Sequence, residues 1–210
     1  MHIFSEVLTI ELLDGAVVSL FAAAATCRAR VTGGNLAGAV ILGCVSALLA
    51  PVFREVLLHG QAGVKLVINA LPAQAFIGAC ASLVALRMAG NKQHLLFFWL
   101  DSLGICLGAS LFAALALPEL GLVGALVLSL ANALLPGLIR DLALGDVAMF
   151  VDKNWYAASV ALAAIAALTI IVVWHIIPVP EIWSDRPGEV GTAGGCIVGV
   201  VFRYWKGRDF

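Results

Sequence analysis

From residue 7 to residue 205 the chain is a succession of apolar runs, each about as long as a lipid bilayer is thick, separated by short segments rich in glycine, proline and charge. A helix crossing a hydrocarbon core of about 30 Å needs roughly 20 apolar residues. In lipid the backbone must satisfy its own hydrogen bonds, which limits a spanning chain to helices or closed barrels. The runs fall at 7–27, 36–58, 64–86, 95–117, 122–144, 155–177 and 190–205. Seven spans leave little room for a soluble domain. With 62% hydrophobic and only 12% charged residues, against roughly half and a quarter in soluble domains, the chain reads as an all-α integral membrane protein. A nucleic-acid partner is not expected.

The connections fix an orientation. They are Arg28 to Asn35, His59 to Gly63, Arg87 to His94, Pro118 to Gly121, Gly145 to Asn154 and Pro178 to Glu189, each with the composition of a turn. With seven spans, Arg28, Arg30, Arg87, Lys92, Lys153, Arg203, Lys206 and Arg208 collect on one side, against Lys65 and Arg186 on the other. The positive-inside rule then places the C-terminus in the cytoplasm and the N-terminus outside. The N-terminus, acidic at Glu6 and Glu11, lacks the basic start and cleavage site of a removable signal peptide, so the first run is expected to remain as a span.

A stretch inside the second span recurs in the fifth. Ser46-Ala-Leu-Leu-Ala-Pro-Val-Phe-Arg54-Glu55 is matched some ninety residues later by Asn132-Ala-Leu-Leu-Pro-Gly-Leu-Ile-Arg140-Asp141, and an Asp precedes each copy at nearly the same distance, Asp14 and Asp101. Self-similarity on this scale indicates a duplicated unit. Three spans per unit is an odd number, so the second unit enters the membrane from the opposite face. The expected organisation is therefore a first three-helix repeat at 1–91, a second, inverted one at 92–183, and a linker with the seventh transmembrane helix at 184–210. Transport proteins built on inverted repeats place their pathway where the repeats meet, near the midplane, and use interrupted helices.

Pro51 and Pro136 have no backbone N–H, so the carbonyls of Ala47 and Asn132 lose their helical partners and a kink is expected. Those carbonyls, with the side chains of Ser46 and Asn132 beside them, need protein, water or an ion. Asp14 at the start of the first span matches Arg54 at the end of the second in depth, and Asp101 matches Arg140 likewise at the other face. An unpaired charge near the bilayer centre costs at least about 2.5–3.5 kcal/mol on insertion scales, so ion pairs Asp14–Arg54 and Asp101–Arg140 are expected. The alternative is that the two arginines snorkel to headgroups and only anchor helix ends.

A Leu-Asp pair at the head of a three-helix unit, then a kinked helix ending in an apolar–Arg–acid triplet, repeated and closed by a seventh helix, resembles the trimeric intracellular cation (TRIC) channels, in particular their prokaryotic branch. The resemblance covers about residues 10–205 and rests on Asp14 with Phe53-Arg54-Glu55, and on Asp101 with Ile139-Arg140-Asp141. It implies a homotrimer in a prokaryotic plasma membrane that passively conducts K⁺ and Na⁺ without a cofactor, through a pore inside each protomer. The pore and gating residues would be Asp14, Arg54, Glu55, Asp101, Arg140, Asp141, Ser46 and Asn132. In the family a glycine run precedes each arginine. This chain has Leu49-Ala50-Pro51 and Leu135-Pro136-Gly137 there, so Pro51, Pro136 and the one remaining glycine, Gly137, would supply the kinks. Related sequences have also been described as glycine-type transporters, and a secondary transporter of a small amino acid is the alternative reading.

Gly191, Gly195 and Gly199 recur every four residues in the seventh span, a face that lets helices approach closely. It is expected against the protomer's own repeats or at the trimer contact. The five cysteines lie in or beside apolar runs without paired spacing, as core residues do. The four histidines, His2, His59, His94 and His175, are scattered and suggest no metal site. Trp99, Trp155, Trp174, Trp183 and Trp205, with Tyr156 and Tyr204, fall near span ends, like an interfacial aromatic belt. With no nucleophile and base placed to converge on a bond, no enzymatic activity is expected.

Overall fold

Hydrogen bonds between neighbours along the chain are the only ones a lone apolar segment can make in lipid, and every regular element described is helical. The computed structural model describes residues 2–177 and 186–206. The helices are α1 (His2–Val31), α2 (Leu36–His59), α3 (Gln61–Ala89), a 3₁₀ turn at Gly90–Lys92, α4 (Gln93–Ala143), a short α5 (Met149–Asp152), α6 (Asn154–Trp174) and α7 (Pro187–Lys206). Spans at Glu11–Val31, Leu36–His59 and Trp155–Trp174 are long and apolar enough to cross a bilayer, as is a continuous stretch from Leu71 to Ala143. The protein is a multi-pass membrane protein. Trp183, and most of the connection expected at 178–189, lie outside the described residues.

Local chemistry sets the helix ends. Asn35 caps α2 by accepting the Gly38 N–H at 2.7 Å, and replacing such a cap with Ala costs typically about 1 kcal/mol. Pro187 begins α7, where its missing N–H is not needed.

The stretch from Leu71 to Ala143 cannot be one crossing. At 1.5 Å per residue its 73 residues would extend about 110 Å as a single helix. It is interrupted at the 3₁₀ turn and again inside α4, where Gly121 has φ 66° and ψ −176°. A Cβ built on Gly121 would meet nothing within 4 Å, so it is the backbone conformation, and not space, that requires glycine. This joint separates α4 into an N-terminal arm, 93–120, and a C-terminal arm, 121–143. The turn expected at Pro118 to Gly121 thus shrinks to one non-helical residue.

The chain divides into two compact units, one made of Met1–Gly104 with Leu135–Asp152, the other of Ile105–Leu134 with Lys153–Phe210. In the first, α1 is largely buried and packs against α2 and α3. Small residues bring the helices together. Gly43 of α2 lies against Thr26, whose hydroxyl donates to the Ala39 carbonyl at 3.2 Å, and Gly78 of α3 lies against the backbone of Ser19. In the second, α6 packs on α7. Gly191 faces Ile171, while Gly195 faces Ser110 and Ala167 and Gly199 faces Ala163 and Cys106. The glycine stripe therefore packs inside the protomer, the first of the two locations its spacing allows.

Candidate functional site

Five ionisable side chains at the predicted site are buried within the first unit: Asp14 (8% exposed), Arg54 (5%), Asp101 (2%), Arg140 (2%) and Asp141 (2%). They form two clusters. In one, the Arg54 guanidinium, carried near the end of α2, binds Asp14 of α1 in a parallel fork, Nη1 to Oδ1 at 2.9 Å and Nη2 to Oδ2 at 3.0 Å. Its Nε donates to Glu55 Oε1 at 2.9 Å, and the other Glu55 oxygen lies 2.8 Å from His59 Nδ1. In the other cluster Arg140 Nη1 donates to Asp101 at 2.6 Å and Nε to Asp141 at 2.7 Å.

The second cluster has more support around it. Asp141 Oδ2 accepts the backbone N–H of Met149 at 2.9 Å, Arg140 Nη2 reaches the Met149 sulfur at 3.6 Å, and the guanidinium carbon stands 5.0 Å over the Phe97 ring. The guanidinium carbon of Arg28 also stands over this ring, 5.6 Å from its centroid, and Arg28 bridges Asp146 at 3.0 Å. A planar fork of donors matched to carboxylates, with an aromatic face beneath, is the arrangement in which arginine is not replaceable by lysine. Moving these charges out of water costs several kcal/mol per ion. The geometry offsets that cost by saturating the guanidinium.

Each cluster holds two carboxylates and one guanidinium, so each carries a formal charge of −1 when both acids are ionised and His59 is neutral. The arginines do not present positive ends. They are enclosed by acids, and the residual formal charge of each cluster is negative.

Helical backbone continues through both Pro51 and Pro136. What each proline contributes is a missing donor inside a helix, while the long helix breaks at Gly121. The two polar residues one turn earlier behave differently. Ser46 is fully buried and donates to the Gly43 carbonyl at 3.2 Å. Asn132 is fully buried too, yet neither of its side-chain polar atoms has a hydrogen-bond partner. With its main-chain carbonyl deprived of the Pro136 donor, Asn132 concentrates unused hydrogen-bonding capacity at one point. Such a group costs about 1–3 kcal/mol if nothing visits it. Gly137 is buried as well.

Several of these contacts, and a buried arginine of the second unit, were not visible in the sequence. Phe97 and Met149 read as ordinary apolar residues. Arg28 and Arg203 were counted as loop charges, but Arg28 joins the aromatic stack and Arg203 is 0% exposed in α7, 4.4 Å over the Tyr156 ring and 5.3 Å over that of Trp155. The signal that could have found Arg203 is its place, four residues after Gly199, on the glycine face.

A family model described as glycine transporter matches residues 98–175, short of half the chain. No curated protein matches. Solved structures do. A TRIC trimeric intracellular cation channel orthologue from Rhodobacter sphaeroides aligns with TM-score 0.76 at 22% identity, over 94% of this chain and 98% of that one. A prokaryotic TRIC channel determined in 0.5 M KCl aligns with TM-score 0.76 at 18% identity, over 95% and 98%. A structure described in terms of conductance through TRIC cation channels gives 0.72 at 19%, over 95% and 93%. At these identities the likeness establishes a shared fold over nearly the whole length of each chain.

Proposed function

We propose that the protein is a monovalent cation channel conducting K⁺ and Na⁺, a homotrimer with a pore inside each protomer formed around α2 and the C-terminal arm of α4. The reading takes the long helical segments as seven spans, with α4 supplying two of them, arranged as two inverted three-helix repeats and a seventh helix. The N-terminus is outside, the C-terminus is cytoplasmic and the membrane is a prokaryotic plasma membrane. The carrying observation is the excess of carboxylate in both arginine clusters. A conduit bordered by bare arginines would repel cations; one whose arginines are outnumbered by acids attracts them, and rings or clusters of acid favour cation passage. The fold shared with TRIC cation channel structures supports the same reading.

The purified protein in a planar bilayer between asymmetric KCl solutions tests it. Currents should reverse close to the K⁺ equilibrium potential, and reversal at the chloride potential would overturn the proposal.

A second reading is favoured by the match of residues 98–175 to the glycine transporter model. Under it the acid–arginine clusters would hold the amine and carboxylate of a small zwitterion. Counterflow separates the two readings: a carrier preloaded with unlabelled glycine accelerates uptake of labelled glycine, and a channel does not.

A further inference from the structure

Away from the two clusters, still within the first unit, a cavity of about 350 Å³ opens where the ends of α1 and α3 meet the starts of α2 and α4. Its wall has two chemistries. Leu36, Leu83, Val84 and Leu86 make an apolar side, and Arg30 and Arg87 supply two guanidinium groups, with no acidic residue lining it among the described residues. Arg30 spends one nitrogen on the Gly34 carbonyl, in its own chain turn. Arg87, exposed in the last turn of α3, has no hydrogen bond or ion pair among the described residues. Unlike the buried arginines Arg54 and Arg140, these two have no carboxylate to answer them among the described residues.

From this we infer that the cavity is a binding site for one anionic phospholipid, its phosphate between Arg30 and Arg87 and an acyl chain against Leu83 and Val84. Charge complementarity selects the head. Basic pockets between membrane helices on the cytoplasmic side bind anionic headgroups. The apolar side selects a lipid over a free anion, because Leu36 is 54% and Val84 61% exposed, where lipid tails are the natural cover for a membrane protein. Leu86, which lines the cavity, also packs in one buried cluster with Cys27 and Phe97, the ring beneath Arg140. The occupant therefore sits one side chain away from the aromatic support of the second arginine cluster. The inference concerns lipid retention alone and stands or falls apart from what the protein conducts.

The test uses the full-length protein reconstituted in phosphatidylcholine containing one fifth phosphatidylglycerol, then delipidated stepwise in detergent and weighed intact by native mass spectrometry. Wild type should keep phosphatidylglycerol in preference to phosphatidylcholine. The double variant Arg30→Ala/Arg87→Ala should lose that preference by roughly thirtyfold, the combined value of two basic residues at a membrane surface. Val84→Trp, which fills the apolar side and spares both arginines, should weaken retention as well. Lys206→Ala, at the far end of the chain, is the control and should retain lipid normally; a thermal melt of each variant shows that it is folded. Unchanged retention in the double variant would overturn the site. Loss in the double variant with normal retention in Val84→Trp, accompanied by displacement of lipid by inorganic phosphate, would also overturn it in favour of a soluble anion. So would protection of the cavity by a second copy of the chain, seen as retention that depends on oligomer alone.

Discussion

Removing Asp101 should rescue a protein that has lost Arg140. The pair is separated by 2.6 Å, and at an effective dielectric of 20 two unit charges at that distance attract by about 6 kcal/mol before desolvation is counted. Desolvation takes back much of this, so the pair's net worth is small, but removing one partner is expensive, about 3–5 kcal/mol. Arg140→Gln removes the guanidinium from between two buried carboxylates, Asp101 and Asp141, each 2% exposed. Asp101→Asn alone is milder, about 2 kcal/mol, because Arg140 keeps Asp141 at 2.7 Å and the Phe97 ring at 5.0 Å. If the two acted independently, the double variant would lose about 5–7 kcal/mol. We expect it instead to be no less stable than Arg140→Gln, a coupling of about 2 kcal/mol or more, since the second substitution removes a buried charge that the first left unanswered. Equilibrium unfolding in mixed detergent–SDS micelles, followed by tryptophan fluorescence, measures all four corners of the cycle. Losses that add to within about 0.5 kcal/mol would refute the reasoning.

Other expectations follow from single positions. Arg54→Ala and Arg140→Ala should change unitary conductance or gating strongly, with equal and small effects in single-channel records counting against a pore role. Arg28→Ala should alter gating too, because Arg28 shares the Phe97 ring with Arg140; Lys206→Ala serves as the control. Gly121→Ala should lower stability by about 1–3 kcal/mol through strain at its positive φ and extended ψ alone, and an unchanged melting temperature would show that the joint relaxes. Gly195→Leu should cost about 1–3 kcal/mol or more by overpacking, since even its Cβ would stand 2.6 Å from Ser110 Oγ and 2.8 Å from Ala167 Cβ. Gly194→Leu, facing the flexible end of Ile170, should cost less in the same melt. Pro136→Ala returns a donor to the Asn132 carbonyl and should raise thermal stability while lowering cation conductance; conductance equal to wild type would remove Asn132 from the path.

The helices were legible because apolar length is a one-dimensional quantity: a run of about 20 residues bounded by Gly, Pro and charge needs no tertiary information. The pairing of Asp14 with Arg54 and of Asp101 with Arg140 was legible for a related reason. Depth in a membrane can be counted along a helix, and a charge at depth demands a partner. What surrounds the pairs was not legible. Phe97 beneath Arg140 and the Met149 N–H on Asp141 depend on how a connection folds back, and no periodicity records that. The burial of Arg203 was not legible either: arginines near span ends usually reach for headgroups, whereas here the small glycine face of α7 lets it sink against Tyr156. Kinks were expected at Pro51 and Pro136, where helical backbone runs on through both, and the non-helical residue inside α4 is Gly121, whose positive φ leaves no trace beyond the residue type.

The joint at Gly121 has a practical corollary for anyone wishing to cut, tag or split this protein. Two long helical arms meet there with a single non-helical residue and no loop, so there is nothing for a protease to enter and no slack to absorb an inserted epitope. Reporters of sidedness belong at Gly33 or Gly145, where the backbone already turns with positive φ between separate helices. A fluorophore or cleavage site placed at 118–122 would report its own disruption of the fold.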